Sequence, residues 1–289
     1  MQCLADAGLP AGVAQLVFGV PDMVSRHLIA SPVIRAVSFT GSVPVGQHLL
    51  RLAADGVKRT TMELGGHAPV LVFADCDLEK TLDMAVAQKF RNAGQVCVSP
   101  TRFYIEESIY DAFVRGFAER TAAVEVGDGM AAATKMGPLA NARRPDAIDR
   151  LVQDAVAKGA RKLAGGERQG NAGYFYRPTL LADVPLEAEA MNNEPFGPLA
   201  LARPFANFDD AVEQANRLPY GLAAFAFTEN GRRANLLGDA IEAGMVGINT
   251  FGISGVDAPF GGVKMSGFGS EGGPEGLAAF MVTKGIHQA

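Results

Sequence analysis

Short apolar runs alternate along this chain with longer segments in which apolar residues recur at helical spacing. Val33–Thr40 is typical of a buried strand, and Val43–Ala54, which follows it, carries apolar residues three and four positions apart. The same pair recurs at Pro69–Ala74 and Leu78–Phe90, where Asp77 can cap the helix. This alternation predicts an α/β fold built mainly on parallel sheets. Such sheets bind ligands beyond the carboxyl ends of their strands, so we look for site residues there.

The alternation continues through the rest of the chain. It predicts helices at Ser108–Val124, Arg144–Lys158, Phe208–Arg217 and Arg232–Ala243, and strands at Thr101–Ile105, Pro178–Leu181, Ala200–Phe205 and Ala223–Thr228. Near the end, Gly267, Gly269 and Gly272 have the spacing of a dinucleotide fingerprint. Only 17 residues follow Gly272, too few for a βαβ unit of about 30 residues, so we predict a flexible turn before a terminal strand instead.

The composition excludes several classes of protein. Of the 289 residues, 48% are hydrophobic, which is too apolar for a disordered chain, and the length suggests about two domains. The formal net charge of -5 and the lack of a basic patch argue against nucleic acid and anionic membranes as partners. No apolar stretch approaches the roughly 20 residues of a membrane span, and no signal peptide is recognisable, so a cytoplasmic location is predicted.

Three cysteines and four histidines are spread along the chain. The cysteines show no CxxC spacing and the histidines form no i, i+4 pair, so neither a disulfide framework nor a metal site is expected. A lone cysteine in such a chain is ordinarily a small buried hydrophobe. A catalytic role for any of them therefore depends on the residues around it.

The segment Lys89–Cys97 places a cysteine on a loop that follows the end of a helix. Small neighbours give the sulfur of Cys97 room to face a cleft, and Arg91 adds a positive charge that favours a thiolate or binds an anion. The alternative is a buried cysteine with Arg91 in a surface ion pair. For an isolated cysteine, that alternative is the better interpretation.

Three further segments admit both a functional and a structural interpretation. Ser38–Ser42 ends a strand in Gly-Ser before a helix, which suits a phosphate but also describes an ordinary capped helix. Glu63 lies among apolar residues and glycines, so it is either a general base with a raised pKa or an ion-paired residue at a domain edge. Asn193–Pro198 is a rigid turn that holds Glu194 beside Phe196. This carboxylate either accepts ribose hydroxyls or belongs to a purely structural loop.

Five short segments, in this order and spacing, resemble the NAD(P)-dependent aldehyde dehydrogenase superfamily. They are FTGS at 39–42, ELGG at 63–66, FRNAGQVC at 90–97, EPFGP at 194–198 and PFGGVK at 259–264. Glu63 and Cys97 lie 34 residues apart, as the family's glutamate and cysteine do. The resemblance extends from about Ala7 to the C-terminus, and the segment before Cys97 is most similar to succinate-semialdehyde dehydrogenases.

The resemblance implies a role for each matching residue. Cys97 would attack the aldehyde carbon to form a thiohemiacetal, and its backbone N–H would bind the resulting oxyanion. Hydride would pass to NAD or NADP, and Glu63 would activate water to hydrolyse the thioester. Arg91 and Ser254 would hold the distal carboxylate of a semialdehyde. The implied cofactor-binding residues are Gly41, Ser42 at the diphosphate, Gly65, Glu194 at the nicotinamide ribose, and Phe196 packed beside it.

The family's organisation implies three parts for this chain. Residues 1–65 would be a remnant of a Rossmann-type NAD(P)-binding domain, 66–265 an α/β catalytic domain with a parallel sheet, and 266–289 a return segment. That last segment would supply a strand near Ala279–His287 for a homo-oligomer. Family members carry a further N-terminal segment with most of the nucleotide-binding fold, a second oxyanion donor and another substrate arginine. Its absence implies a truncated product, an incomplete gene model or one piece of a split enzyme that partners the missing segment.

Three alternatives to this activity stay open. A CoA-acylating dehydrogenase needs no water-activating base, so Glu63 argues against it. A catalytically silent fragment would act only as an assembly partner. A thiol-dependent esterase would use Cys97 and Glu63 without a nicotinamide cofactor. The sequence predicts neither the aldehyde, beyond a preference for a distal carboxylate, nor the choice between NAD and NADP.

Overall fold

The computed structural model describes all 289 residues and arranges them in ten α-helices and twelve β-strands. The helices are α1 Gln2–Asp6, α2 Pro21–Ala30, α3 Val43–Ala54, α4 Leu78–Phe90, α5 Tyr110–Ala122, α6 Arg143–Ala157, α7 Glu189–Asn192, α8 Phe208–Asn216, α9 Gly231–Ala240 and α10 Gly273–Ala278. The strands are β1 Ala36–Thr40, β2 Arg59–Glu63, β3 Ala68–Val72, β4 Pro100–Glu106, β5 Arg161–Ala164, β6 Thr179–Ala182, β7 Leu199–Phe205, β8 Tyr220–Gly221, β9 Ala223–Phe227, β10 Met245–Ile248, β11 Val263–Lys264 and β12 Gly267–Phe268. Short 3₁₀ turns follow α4 and β4.

The larger sheet has seven strands in the order β10-β9-β3-β4-β7-β6-β5. All neighbouring pairs run parallel except β5 and β6. Strand β3, near its centre, is apolar and buried along its whole length, as expected for a parallel sheet covered on both faces. The predicted α/β fold with a mainly parallel sheet is therefore confirmed.

A smaller sheet joins the two ends of the chain. Strands β1 and β2 run parallel, and β12 returns antiparallel to β2 with Gly267 opposite Glu63. Five buried residues form its core, Ile29, Leu49, Ala53, Met62 and Leu64, against fifty in the core around the larger sheet. The predicted domain boundaries at residues 65 and 265 lie between the strands of these two sheets and stay a prediction. A third sheet pairs β8 with β11.

Two helices begin and end at the predicted residues. They are α3 and α4, and in α4 the Asp77 carboxylate accepts the backbone N–H of Lys80, as the cap prediction requires. The other predicted helices and strands are present, with ends displaced by one to three residues. Such displacements are expected because element ends are fixed by turns and caps more than by apolar spacing.

The C-terminal prediction needs correction. After β12 the chain forms helix α10 instead of leading into a strand, because Gly272 and Gly273 adopt positive φ values of 66° and 56° that break extended backbone. Residues 279–289 have no regular secondary structure in the single chain, so the strand expected near Ala279–His287 is absent here. Its formation with a partner chain stays a prediction. None of the helices has the length and apolar character needed to cross a membrane.

Candidate active site

Two of the predicted motifs lie side by side at one edge of the smaller sheet. The parallel pairing of β1 and β2 sets Thr40 opposite Glu63, and the Gly41 N–H donates to the Glu63 carbonyl at 3.0 Å. Gly41 and Ser42 therefore lie beside the start of the Glu63–Gly66 segment. This is the carboxyl end of parallel strands, where ligand sites of α/β proteins form.

One cleft of about 600 Å³ brings the predicted catalytic and cofactor-binding residues together. Those lining it are Gly41, Ser42, Glu63, Gly65, Cys97, Glu194 and Phe196. The two predicted substrate residues, Arg91 and Ser254, line a second cleft of about 410 Å³. Val98 also lines the second cleft, so adjacent residues of one loop face the two clefts.

The loop that carries Cys97 has an unusual backbone. After α4 ends, Asn92, Ala93 and Gly94 adopt φ values of 51°, 53° and 68° in succession. Two of these are not glycine, and each such residue costs about 1–3 kcal/mol unless its surroundings hold it. The Asn92 side chain donates to the Gln95 carbonyl at 3.0 Å, and the Gln95 side chain donates back to the Asn92 carbonyl at 3.2 Å. Strain held in this way is typical of functional loops.

Cys97 is half-buried, and its surroundings raise the pKa of its thiol. Burial is the main cause, and the carboxylates of Glu194 and Glu63 add to it. The backbone N–H groups of Cys97 and Val98 oppose the rise. Arg91 is not among the main causes of this shift and lines the second cleft instead, so its predicted effect on the thiol stays a prediction.

Glu63 is buried, with 3% of its surface exposed, and neither carboxyl oxygen has a hydrogen-bond partner. Burial raises its pKa to about 7, and the carboxylate of Glu271 adds to this rise. The predicted raised pKa is thus present, whereas the ion-paired alternative is not. A carboxyl group with free oxygens and a pKa near neutrality can accept a proton from water.

Glu194 lines the same cleft from the turn Asn193–Pro198, which precedes β7. Its Oε1 accepts the Gly66 N–H at 3.2 Å, and burial raises its pKa to about 7 although Gly66, Arg144 and Lys89 act to lower it. A Cβ atom on Gly65 would overlap Glu194 Oε2, so Gly65 must stay a glycine for the carboxyl to lie there.

Sequence reasoning missed Arg144, which also lines this cleft. Its Nη2 donates to the carbonyls of Pro195 and Phe196, and its guanidinium lies 6.0 Å from the centre of the Phe196 ring. Its Nε is buried without a partner. A signal was available, because Arg143 and Arg144 occupy the first turn of α6, where the helix dipole disfavours cations.

Ser42 is the N-cap residue of the twelve-residue helix α3, but its side chain makes no capping hydrogen bond. Its exposed hydroxyl and the free amides of the first turn are therefore available to an anion. Together with the free Oε2 of Glu194, which suits a ribose hydroxyl, these groups fit a nicotinamide dinucleotide. No group of three or more His, Cys, Asp or Glu side chains is placed to hold a metal ion.

Comparison with known proteins agrees with this arrangement. Residues 1–286 match a family model described as the aldehyde dehydrogenase family. The chain belongs to the aldehyde dehydrogenase family. A protein from Comamonas testosteroni named putative 4-(hydroxymethyl)benzenesulfonate dehydrogenase TsaD2 is 53% identical to it over 99% of this chain and 60% of its own length. A probable succinate-semialdehyde dehydrogenase [NADP(+)] from Sinorhizobium fredii is 44% identical over 96% of this chain and 57% of its own.

Solved structures show the same fold. The crystal structure of an E. coli NADP-dependent enzyme superposes on this aldehyde dehydrogenase chain with a TM-score of 0.95 and 40% identity. The match covers 96% of this chain and 58% of the other. The chain therefore spans about 60% of the length of the relatives that it matches.

Proposed function

We propose that this chain carries the catalytic centre of a dehydrogenase that oxidises an aldehyde with a distal anionic group to the acid, using NAD or NADP. The observation that carries the proposal is the single cleft lined by Cys97, Glu63 and Glu194. It combines a thiol, a buried carboxyl without a partner and a second carboxyl near a helix N-terminus. These are the groups that covalent aldehyde oxidation with a bound dinucleotide needs.

In this proposal Cys97 is the nucleophile. Its thiol is protonated at rest because burial raises its pKa, so its proton must pass to a base, Glu63 in the same cleft, as the sulfur bonds to the aldehyde carbon. The backbone N–H groups of Cys97 and Val98 act to lower the pKa of this thiol. In this proposal they donate to the aldehyde oxygen as it becomes negatively charged.

Glu63 is the proposed base for the hydrolytic half of the reaction. With a pKa of about 7 and two free oxygens, it can take a proton from a water molecule that attacks the acylated Cys97. The nearby Glu271 carboxylate raises the basicity of Glu63 further. A water-activating base of this kind favours hydrolysis over transfer to CoA.

The cofactor would be held between the start of α3 and the Glu194 loop. Ser42 and the first amides of α3 would bind phosphate, and Glu194 would accept ribose hydroxyls. When bound, the nicotinamide ring accepts the hydride that the aldehyde carbon loses. Arg144 adds a cation at the same cleft, beside Phe196.

The substrate's distal group would lie in the second cleft, at Arg91 and Ser254. Arg91 is exposed and belongs to none of the chain's ion pairs, which leaves its guanidinium free for a ligand anion. Guanidinium binds carboxylate and sulfonate alike through parallel hydrogen bonds. Two relatives are named for compounds with a distal anion, 4-(hydroxymethyl)benzenesulfonate and succinate semialdehyde, which supports an anionic substrate here.

The test follows NADH or NADPH at 340 nm with succinate semialdehyde, 4-formylbenzenesulfonate and butanal. We expect turnover of the anionic aldehydes that is lost in Cys97→Ala and falls by about 10²–10⁴ in Glu63→Gln. Cys76→Ala, which changes a half-buried cysteine outside both clefts, serves as the control and should keep full activity. Arg91→Met should lower kcat/KM for the anionic aldehydes and leave butanal unchanged. Turnover that survives Cys97→Ala would refute the mechanism.

A second candidate is an assembly partner without activity of its own. It is favoured by the exposed apolar residues near the start of the chain, of which Val13, Leu16, Val17 and Phe18 are 60–87% exposed. A folded chain that shows no turnover in the same assay would support this role. Hydrolysis of 4-nitrophenyl acetate without cofactor, lost in Cys97→Ala, would indicate the thiol esterase instead.

A further inference from the structure

Phe196 has a strained backbone within the Glu194 loop, residues 193–198. Its φ is 39°, in the left-handed region that residues other than glycine seldom occupy. Such a conformation costs free energy and persists only where the surrounding structure holds it. Phe196 lines the same cleft as Glu194 and Cys97, so the group that holds this conformation also shapes the proposed active site.

Arg144 makes the hydrogen bonds that hold Phe196. Its Nη2 donates to the carbonyl oxygens of Pro195 and Phe196, the second at 3.0 Å, and no other group bonds to the backbone of these two residues. These carbonyls belong to the peptide groups on either side of the Phe196 Cα. Since φ and ψ are rotations of the two flanking peptide groups, a donor that fixes both carbonyls restrains both angles. The guanidinium also lies 6.0 Å from the centre of the Phe196 ring, within range of a cation–π contact.

The stability of helix α6 does not explain the position of Arg144. The residue lies in the first turn of α6, where the helix dipole disfavours a cation. It belongs to none of the chain's ion pairs, and its Nε is buried without a hydrogen-bond partner. Burying such a donor is costly, whereas Arg143 in the same turn is exposed to solvent. The contacts with the Glu194 loop are what offset this cost.

The start of α6 is also attached to the Cys97 loop, residues 91–99. The Ala140 N–H, four residues before Arg144, donates to Gln95 Oε1 at 2.9 Å. Gln95 belongs to the Cys97 loop and lines the cleft together with Arg144. Residues 140–144 are therefore hydrogen-bonded to both loops of the cleft.

We propose that Arg144 is a positioning residue of the active site, which holds the Glu194 loop in its strained conformation and so fixes the Glu194 carboxyl relative to Cys97. The inference rests on the proposed function, in which Glu194 accepts the hydroxyls of the cofactor ribose. Pro195, whose carbonyl Arg144 binds, directly follows Glu194 in the chain. The effect of Arg144 on cofactor binding therefore passes through the backbone of this loop.

The first test measures the mobility of the Glu194 loop in the free protein, by nitrogen-15 relaxation of the Phe196 and Gly197 amides. We expect order parameters of about 0.85, typical of rigid backbone, in the parent and below about 0.6 in Arg144→Met. Arg144→Gln also removes the guanidinium and should have the same effect, so the result does not depend on the folding of one variant. Arg143→Met replaces the exposed arginine of the same turn and should leave both amides rigid. Unchanged order parameters in the Arg144 variants would overturn the proposal.

Steady-state kinetics measure how this positioning affects the proposed reaction. Arg144→Met should raise the KM for NAD(P) about 3–10-fold, the range expected for the loss of one hydrogen bond, with a smaller change in kcat. Arg144→Lys, which keeps a cation and N–H donors, should recover part of this loss. A merely structural role would reduce the fraction of folded enzyme, which lowers kcat and leaves the KM for NAD(P) unchanged. An unchanged KM in Arg144→Met would therefore overturn the proposal.

The relaxation measurement needs neither cofactor nor turnover, so it separates this inference from the proposed function. A loop that becomes mobile in Arg144→Met, in a chain whose parent oxidises no aldehyde, would support the hold of Arg144 on the loop while the dehydrogenase fails. A loop that stays rigid in Arg144→Met, in a chain whose parent is active, would overturn the inference alone.

Discussion

Three ionisable residues of the cleft have pKa values shifted in the same direction. Those of Cys97, Glu63 and Glu194 are all raised, and burial is the first cause for each. Below pH 7 the cleft therefore holds little negative charge, and ionisation of one group makes ionisation of the next harder. The proposed nucleophile, Cys97, and the proposed base, Glu63, are therefore both mainly uncharged below pH 7.

Glu63→Gln tests the cost of this burial directly. The folded-state pKa of Glu63 is about 7, above its ordinary value of 4.5, so the folded protein holds this proton more tightly than the unfolded chain. The free energy of unfolding then falls as pH rises from 4.5 through 7. We expect Glu63→Gln to be more stable than the parent by about 3 kcal/mol at pH 8 and by less than about 1 kcal/mol at pH 5.

Urea unfolding at the two pH values measures this difference. Glu229→Gln replaces an exposed glutamate and should match the parent at both. A Glu63→Gln protein that is less stable than the parent at pH 8 would show that the carboxylate has a stabilising partner. Glu63 would then not be a buried carboxyl without a partner.

At the scale of helices and strands, the sequence predicted the features that depend on neighbouring residues, such as where a helix begins and ends. Helix α4 has the predicted bounds because Asp77 caps it and an apolar stripe runs along one face. The same periodicity gives no reason for Lys89 to be buried on that helix. Its Nζ donates to Ser99 Oγ, ten residues along the chain, a contact that apolar spacing on the helix does not predict.

The FTGS and ELGG segments came together because parallel strands β1 and β2 place their carboxyl ends at one edge. The Cys97 and Glu194 loops lie instead before β4 and β7, at the amino ends of these strands, so the expectation that site residues follow strands is wrong for them. The backbone of the Cys97 loop was not predictable, since Ala93 adopts a left-handed φ value that alanine seldom chooses, directly after Asn92 in the same region. For Arg144 the one signal was its place in the first turn of α6, where a cation is disfavoured. Its partners are backbone carbonyls, which no sequence motif identifies.

Gly65→Ala tests how closely two of these loops pack. The new methyl group would overlap Glu194 Oε2, so the carboxyl must shift, and a shift weakens its 3.2 Å hydrogen bond from the Gly66 N–H. We expect the KM for NAD(P) to rise about tenfold, equivalent to about 1.4 kcal/mol, in Gly65→Ala. Gly129→Ala, at a position with open space around its Cβ, should leave it unchanged. An unaltered KM in Gly65→Ala would show that the position of the Glu194 carboxyl does not affect the binding of NAD(P).

At the scale of the whole molecule, the smaller and the larger sheet differ greatly in the number of apolar residues buried around them. Five core residues support the smaller sheet and fifty support the larger one. Apolar side chains are exposed at both ends of the chain, with Phe18 at 87% and Val282 at 83%. A homo-oligomer, as proposed from the resemblance, would cover such residues.

The difference in core size predicts unequal local stability. Regions with few buried apolar contacts open at a lower free energy than the global transition, so the smaller sheet should exchange its amide hydrogens first. We expect the amides of β1 and β2 to exchange at least about 100-fold faster than those of β3 and β4 after correction for intrinsic rates. Hydrogen exchange followed by mass spectrometry of peptides 36–63 and 68–106 measures this ratio at a single protein concentration.

Repeating the exchange across a hundredfold range of protein concentration identifies what protects the smaller sheet. If protection of β1 and β2 rises with concentration while that of β3 and β4 does not, copies of the chain cover the exposed apolar residues by association. If all four strands are equally protected at the lowest concentration, the smaller sheet is stable on its five-residue core and the predicted inequality is wrong. Protection that appears only with NAD(P) would instead show that the cofactor, bound between α3 and the Glu194 loop, orders this part of the molecule.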